Sequence, residues 1–393
     1  MTATTPETQL HARPTSVKDL RAVMADTATS HPRVRIRAAG TAASWGAPPA
    51  PADLLLDTRG MEGLLHYDPA DMTVAARAGT PLSQLQAVLA AQRQRIAFDA
   101  ARTASGATIG GLIATADAGP AQQAFGALRD LVIGATIVLA DGTAVRTGGH
   151  VIKNVAGYDL AKLFTGSLGT LGVLADVVIR LHPLPHTSAT LRLPSTAADA
   201  VALGGRILTA GLEPAALEWC HEHLLVRLEG DRGGVKDRLT AVTRLGAASG
   251  EVFWTDEQAT VWRPVQETTL GRDGDTVLRI GSLPSHWARI FDTATRLAHS
   301  DGLRLEATSS IGVGSHTLRL SAGDSTAHER FLTALRAEVT AWGASVTVRR
   351  RDGLPTGTDM WGPPPPAVTV MRAIKQQFDP NARFGAGPLE PWL

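Results

Sequence analysis

The chain has 393 residues, which makes two hydrophobic cores and a small third unit the expectation rather than one core. A formal net charge of +1 with no basic run argues against a nucleic-acid groove, and the lone cysteine, Cys220, excludes an intrachain disulfide and any multi-cysteine iron–sulfur or zinc site built by this chain alone. The polar start "MTATTPETQLHARPTSVKDL" has no apolar signal core and no apolar run of about 18 residues follows, so no membrane span and a cytoplasmic location are expected, any membrane association coming through partners.

In chain order, residues 16–25 read as a helix with Ser16 at its N-cap. "RVRIRAAG" reads as a half-buried strand and a turn, its alternating arginines sitting between Val34 and Ile36. "DLLLDTRGM" is a second short strand. "DMTVAARAGTPLSQLQAVLAAQRQRIAF" reads as strand, turn and helix, with Pro81 at the helix start. Residues 103–119 are a small-residue tract. "LVIGATIVLADGTAVRTGG" is a hairpin turning at Asp141-Gly142. "VIKNVAGYDLAKLFTGSLGTLGVL" then mixes glycines with aliphatic residues and leads into the strand "VLADVVIRL".

Pro183 and Pro185 mark a boundary. Beyond it the pattern β-α-β-β-α-β occurs twice, as two ferredoxin-like units between about Pro185 and Arg351. The linker "DGLPTGTDMWGPPPP" cannot be helical, and a last helix ends at Asp379-Pro380. The expected division is residues 1–185, 186–351 and 352–393, the final segment returning to pack on the first unit.

Neither a G-x-G-x-x-G after a strand nor a G-x-x-x-x-G-K-[ST] is present. What remains is three small-residue turns beside strands, at 38–46, 103–119 and 166–174. Such turns let backbone N–H groups approach an anion closely, and together they suit a long dinucleotide.

"AGTAASWG", "DPADMTVAARAGTPLSQL", "ATIGGLIATADAGP", "FGALRDLVIGATIVLADGTAVRTGG" and "KNVAGYDLAKLFTGSLGTLGVL" occur in that order. Their order and spacing resemble the FAD-binding domain of the vanillyl-alcohol oxidase (PCMH-type) flavoprotein superfamily. The last of them, with "HLLVRLEG", looks most like the FAD-binding E subunits of bacterial glycolate oxidases. The resemblance implies an α+β fold: a PCMH-type FAD-binding domain of two subdomains, plus a cap of repeated ferredoxin-like units. It implies non-covalent FAD held by Arg37, Ala38, Ala39, Gly40, Thr41 and Ala42 at the pyrophosphate. Ser105, Gly106, Ala107, Thr108, Gly110, Gly111, Thr115, Asp117 and Ala118 would line the cofactor. So would Gly169, Thr170, Leu171, Gly172 and Val173, with Gly169 and Gly172 leaving room for it.

The resemblance further implies oxidation of a small 2-hydroxyacid, with a catalytic flavoprotein subunit and an iron–sulfur subunit as partners. A non-catalytic FAD-binding assembly or relay subunit, and a stand-alone oxidoreductase of another hydroxylated substrate, are the alternatives.

The chain departs from the pattern in places. Arg37-Ala38-Ala39-Gly40-Thr41 replaces R-G-G-G-[TS], and an alanine at positive φ would weaken FAD binding. Leu168 stands where Glu is usual. The cap motif H-x-G-D-G-N-x-H, which supplies metal ligands in catalytic relatives, is absent, and no metal site is expected. His221 and His223 of "CHEH" would share one strand face but lack a third ligand. No catalytic residue is assigned: Tyr158 and His150 are weak candidates near the flavin-side block. Lys153, Asp159 and Lys162 suggest a local ion network. Arg279 and Arg319 could each meet a carboxylate, but both fall on cap strands that read equally well as solvent-facing. The isolated chain is therefore expected to bind FAD but oxidise glycolate poorly.

Overall fold

Strand alternation decides which side chains each sheet buries, and among the described residues it produces three principal sheets. The computed structural model describes residues 9–150, 158–246, 249–385 and 387–393. Lys153 and Gly157 of the glycine-rich block lie outside the described residues.

The first sheet is parallel, with Leu54–Asp57 between Leu10–Ala12 and Val34–Arg37. Parallel neighbours need a crossover. Helix Val17–Asp26 provides one, its N-terminus capped by Ser16, whose hydroxyl accepts from the Asp19 N–H, and it buries Leu20 and Met24.

The second sheet is antiparallel, in the order Leu64–Asp68, Thr73–Arg77, Val173–Arg180, Val132–Val138, Ala144–Gly148. Val173–Arg180 lies at its centre, and Val177 and Ile179 are fully buried, which explains its near-continuous aliphatic run.

The third sheet has eight strands, all drawn from residues 187–350. Each half follows β-α-β-β-α-β and has its own first and third strands side by side. The halves meet through their second strands, Ala216–Cys220 and Arg304–Ser310, with Glu218 opposite Ser310. Helices Ala197–Thr209, Arg232–Gly246, Trp287–Ser300 and Ser325–Val339 cover one face. Inward residues such as Leu217, Trp219, Leu278, Ile280, Leu318, Val346 and Val348 form the core beneath them.

The segment joining the halves, read as unassigned chain, is the helix Gln258–Leu270, with Pro264 inside it. It covers part of the opposite face, packing Val261, Trp262 and Val265 on Ala216, Cys220 and Leu225. Its apolar positions recur at helical spacing, but the proline hid it from a reading based on breakers.

Helix Val368–Phe378 sends Ile374 and Phe378 against the core of the five-stranded sheet, and Phe378 meets Phe164 edge-on at 5.6 Å. Lys375 donates to the Thr170 carbonyl at 2.8 Å and to buried Asp379 at 2.5 Å. Arg383 donates to the carbonyl oxygens of Met24 and Ala140, tying this segment to the first helix and the hairpin turn. Trp361 before the helix and Leu389 after it join the core of the eight-stranded sheet.

Candidate cofactor and substrate site

A cavity of about 860 Å³ opens between the first two sheets and the final segment, at the upper end of the range for small-molecule sites. One wall is the turn after strand Val34–Arg37. Arg37, Ala38, Ala39, Gly40, Thr41 and Ala42 all line the cavity. The backbone N–H groups of Ala39, Gly40, Thr41 and Ala42 have no acceptor among the described residues, so they form a row of free donors suited to an anion. Only Gly40 of this turn has positive φ, at 75°. Ala38 and Ala39 therefore sit without the strain their substitution for glycine suggested.

A second wall is the tract around helix Ile109–Ala114. Thr108, Gly110, Gly111 and Thr115 line the cavity. The Thr108 hydroxyl accepts from the Gly111 N–H at 3.2 Å and caps the helix. Gly110 is needed by close approach: a Cβ there would fall 2.6 Å from the Ala78 Cβ and 2.8 Å from its carbonyl oxygen. Ser105, Gly106, Ala107, Asp117 and Ala118 lie outside the lining; Ala107 is core, and Asp117 pairs with Arg102 at 2.8 Å.

The third wall is the turn before the central strand. Leu168, Gly169, Gly172 and Val173 reach the cavity, whereas Thr170 and Leu171 are buried behind it. Gly169 takes φ of 79° against the Ile36 side chain. Gly172 is constrained by packing on Ile137 and Phe164, a Cβ there falling 3.0 to 3.2 Å from them. Leu168, in place of the usual Glu, adopts φ of 52°, an uncommon conformation for leucine.

The residues present fit a dinucleotide. Besides the free N–H row, Arg102 at the wall is 4% exposed, yet its Nε and Nη1 find no hydrogen-bond partner among the described residues. Its remaining nitrogen donates to the Thr115 hydroxyl at 3.0 Å as well as to Asp117. Burial pulls the proton affinity of Arg102 down, and the Asp117 carboxylate opposes this.

Tertiary structure adds residues that local reading missed. The Trp45 ring, at the cavity wall, lies 3.7 Å from the Arg102 guanidinium carbon and 4.2 Å from that of Arg349. Burial, then the nearby Arg279 charge, pulls Arg349 down to about 9. Arg279 is also lowered by burial, with Asp117 and Glu218 acting against it. Glu218 on the neighbouring strand accepts from Thr308 at 2.5 Å and from Ser310 at 2.7 Å, and burial pushes it up to about 7. "SWG" in the first tract was the sequence signal for Trp45; Arg279 was singled out on its strand, and Arg349 was not.

Several expectations change. Arg319 is not solvent-facing: it is buried and pairs with Asp275 at 2.6 Å and Glu306 at 2.9 Å, which makes it structural. His221 and His223 do not share a strand face. His221 and Glu222, with φ of 47° and 60°, form the turn between Ala216–Cys220 and His223–Gly230. Tyr158 is 88% exposed and His150 is exposed, its ring meeting His66 edge-on at 5.0 Å; neither lines the cavity. Lys162 pairs with Asp159 at 2.9 Å, exposed on both sides.

A family model described as an FAD binding domain matches residues 8–148. Glycolate oxidase subunit GlcE of Escherichia coli (strain K12) is 37% identical over 181 residues, covering 46% of this chain and 52% of that protein, so the match spans about half its length. An uncharacterized FAD-linked oxidoreductase of Mycobacterium tuberculosis (strain ATCC 25618 / H37Rv) is 26% identical across 97% of this chain and 89% of its own. A solved alkyldihydroxyacetonephosphate synthase superposes with a TM-score of 0.71 at 17% identity, over 95% of this chain and 76% of that one. No helix among the described residues is long and apolar enough to cross a membrane. The cavity, its three walls and these matches together give the chain an FAD binding domain at residues 8–148, set in a PCMH-type fold.

Proposed function

We propose that this chain is an FAD-dependent oxidoreductase of small 2-hydroxy acids, working as the FAD-binding subunit of a glycolate oxidase-like complex. The observation that carries the reading is the free N–H row of Ala39–Ala42 at one end of a cavity whose wall also holds Arg102 and Trp45. In this reading residues 1–185 hold the cofactor, residues 186–351 face the substrate, and residues 352–393 join the two. Bound FAD supplies the two-electron acceptor for the hydrogen on the substrate's α-carbon. The N–H row holds the pyrophosphate, and the turn Leu168–Val173 packs against the cofactor without a covalent bond. The arginines beside Trp45 favour an acidic substrate over a neutral alcohol.

A chain with one buried cysteine builds no iron–sulfur cluster, so onward electron transfer falls to a cysteine-rich partner. The expectation of poor turnover rested on the missing H-x-G-D-G-N-x-H motif, on there being no His or Arg cluster to replace it and on the single cysteine. Arg279 and Arg349 beside Arg102 move the reading towards direct oxidation. The purified protein should be yellow, and acid precipitation should release its FAD into the supernatant. Anaerobic mixing with glycolate or D-lactate should bleach the flavin rapidly and saturably. Flavin that stays oxidised with both acids in excess would leave the relay-subunit reading in place.

A further inference from the structure

The chain that leaves the pyrophosphate turn is tied at once to the cap. The Ala43 N–H donates to the Gly40 carbonyl at 3.0 Å and the Trp45 N–H to the Ala42 carbonyl at 3.1 Å, so the turn and Trp45 form one wound segment. The next residue changes partners. The Gly46 N–H donates to the Val348 carbonyl of strand Ser345–Arg350 at 3.2 Å, and Arg351 Nη1 donates back to the Gly46 carbonyl at 3.3 Å. The Ala47 N–H reaches the Pro388 carbonyl of the final segment at 3.0 Å. Gly46 takes φ of 61°, and a Cβ there would lie 2.4 Å from the Pro388 carbonyl oxygen and 2.8 Å from the Trp361 ring, so only glycine fits this crossing.

Strand Ser345–Arg350 also supplies a side chain. Val346 and Val348 enter the helix-covered core. Pairing with Thr276–Gly281 then slips: Leu278 faces Val348 but Val277 faces Arg350, leaving Arg349 as the extra residue of a bulge. Bulges re-aim side chains. Here the half-buried Arg349 places its guanidinium carbon 4.2 Å from the centre of the Trp45 ring, and Arg102 places its own at 3.7 Å. The indole, which lines the cavity, is thus met by one cation from the cofactor domain and one from the cap. Among the described residues the Arg349 guanidinium has no ion pair and no hydrogen bond; the indole is what it meets. Neither Arg349 nor any other residue of its strand lines the cavity.

We propose that Trp45 is a positioning residue through which the cap arginine Arg349 holds the pyrophosphate turn in shape, so that FAD is retained in part by a residue outside its cavity. This rests on the chain holding FAD and is independent of the substrate. A row of backbone donors binds an anion only while its N–H groups converge. From Ala38 to Ala43 the side chains are small, and none makes a hydrogen bond among the described residues, so the shape of the turn is imposed by what flanks it. Cations over its ring give the indole a fixed seat, and the bond from Trp45 to Ala42 carries that seat into the donor row.

The test is the FAD dissociation constant of the purified full chain, read from flavin fluorescence on serial dilution. Arg349→Gln should weaken FAD binding about three- to thirtyfold, and Trp45→Leu, which loses both cations, about ten- to a hundredfold. Trp45→Phe and Arg349→Lys should each recover part of the loss, because they keep a ring and a cation. The double variant Trp45→Leu/Arg349→Gln should bind FAD within about twofold of Trp45→Leu alone, since the arginine acts through the ring. Arg289→Gln removes a contact of the same kind, with Trp342 at 3.7 Å, elsewhere on the cap and should leave FAD affinity unchanged. Melting curves of the FAD-free wild type and Arg349→Gln should coincide.

Equal FAD affinity in the wild type and Arg349→Gln would overturn the proposal alone. Additive losses in the double variant would also overturn it, because the arginine would then act on FAD without the indole. So would an FAD-free Arg349→Gln whose melting temperature falls in step with its affinity, which would make the arginine a support of the fold. A wild type that binds no FAD would overturn the cofactor reading and this proposal together.

Discussion

The cofactor cavity and the cap sheet are built on different principles. The cofactor side is made of backbone: turns at Arg37–Ala42, Thr108–Gly111 and Leu168–Val173 place N–H groups and small residues where a ligand approaches. The cap side is made of side chains projecting from a sheet, whose other face is an ordinary aliphatic core. Backbone sites depend on a few glycines and caps that are local in sequence. Side-chain sites depend on which strands pair and where a register slips, as at Arg349. The turns of the first kind should be fragile to packing changes, and sites of the second kind to changes of charge.

The largest expected effect lies behind the cofactor-side turns, in the segment that supports them. Lys375→Met should destabilise the protein by about 3–5 kcal/mol, because it leaves the buried Asp379 carboxylate without its cation. Chemical denaturation monitored by tryptophan fluorescence measures this. A change below about 1 kcal/mol would mean that the amides of Arg383 and Phe384, which also donate to Asp379, suffice to hold its charge.

Gly110→Ala comes next, at about 1–3 kcal/mol with reduced FAD content, since the new methyl group meets the Ala78 backbone rather than a yielding side chain. The same denaturation, with flavin absorbance per protein, reads both effects. Full retention of stability and flavin would break the claim that backbone fit governs this side.

On the cap side the expected response is to pH. Glu218 is held in the fold at about 7, above its ordinary value of about 4.5, so the folded state keeps a proton that the unfolded state gives up. Its contribution is therefore fully present below about 4.5 and is lost as pH rises to about 7. Glu218→Gln should remove that slope and raise the melting temperature at neutral pH relative to wild type. Parallel melting curves from pH 4.5 to 7.5 decide it, and identical slopes in the two proteins would show that Glu218 titrates as if exposed. The smallest effect is local: Ser16→Ala should cost about 1 kcal/mol by freeing the Asp19 N–H, without changing FAD content.

Much of the cofactor side was legible before any fold was known. A turn that must approach an anion needs small residues at fixed local offsets, so the tracts at 38–46, 103–119 and 166–174 carried their own signal. The doubled β-α-β-β-α-β order was legible for the same reason: period and length are local properties. The helix Gln258–Leu270 was not, because Pro264 is normally a breaker and tertiary packing on Ala216, Cys220 and Leu225 overrides that preference. The turn at His221-Glu222 was missed because neither residue favours positive φ, so its hairpin had no Asn-Gly or Asp-Gly signature.

The sequence by itself determined the α+β class, the repeated cap and the three turns that edge the cavity, since each follows from patterns within about 30 residues. Tertiary structure alone decided which arginines matter. Arg319 was neutralised by Asp275 and Glu306 once the strands paired, while Arg279 and Arg349 have no ion-pair partner among the described residues and Arg349 was brought to Trp45 beside Arg102. The physical reason is that an arginine's charge is settled by its neighbours in space. Those neighbours lie up to about 300 residues away along the chain, as Trp45 does from Arg349.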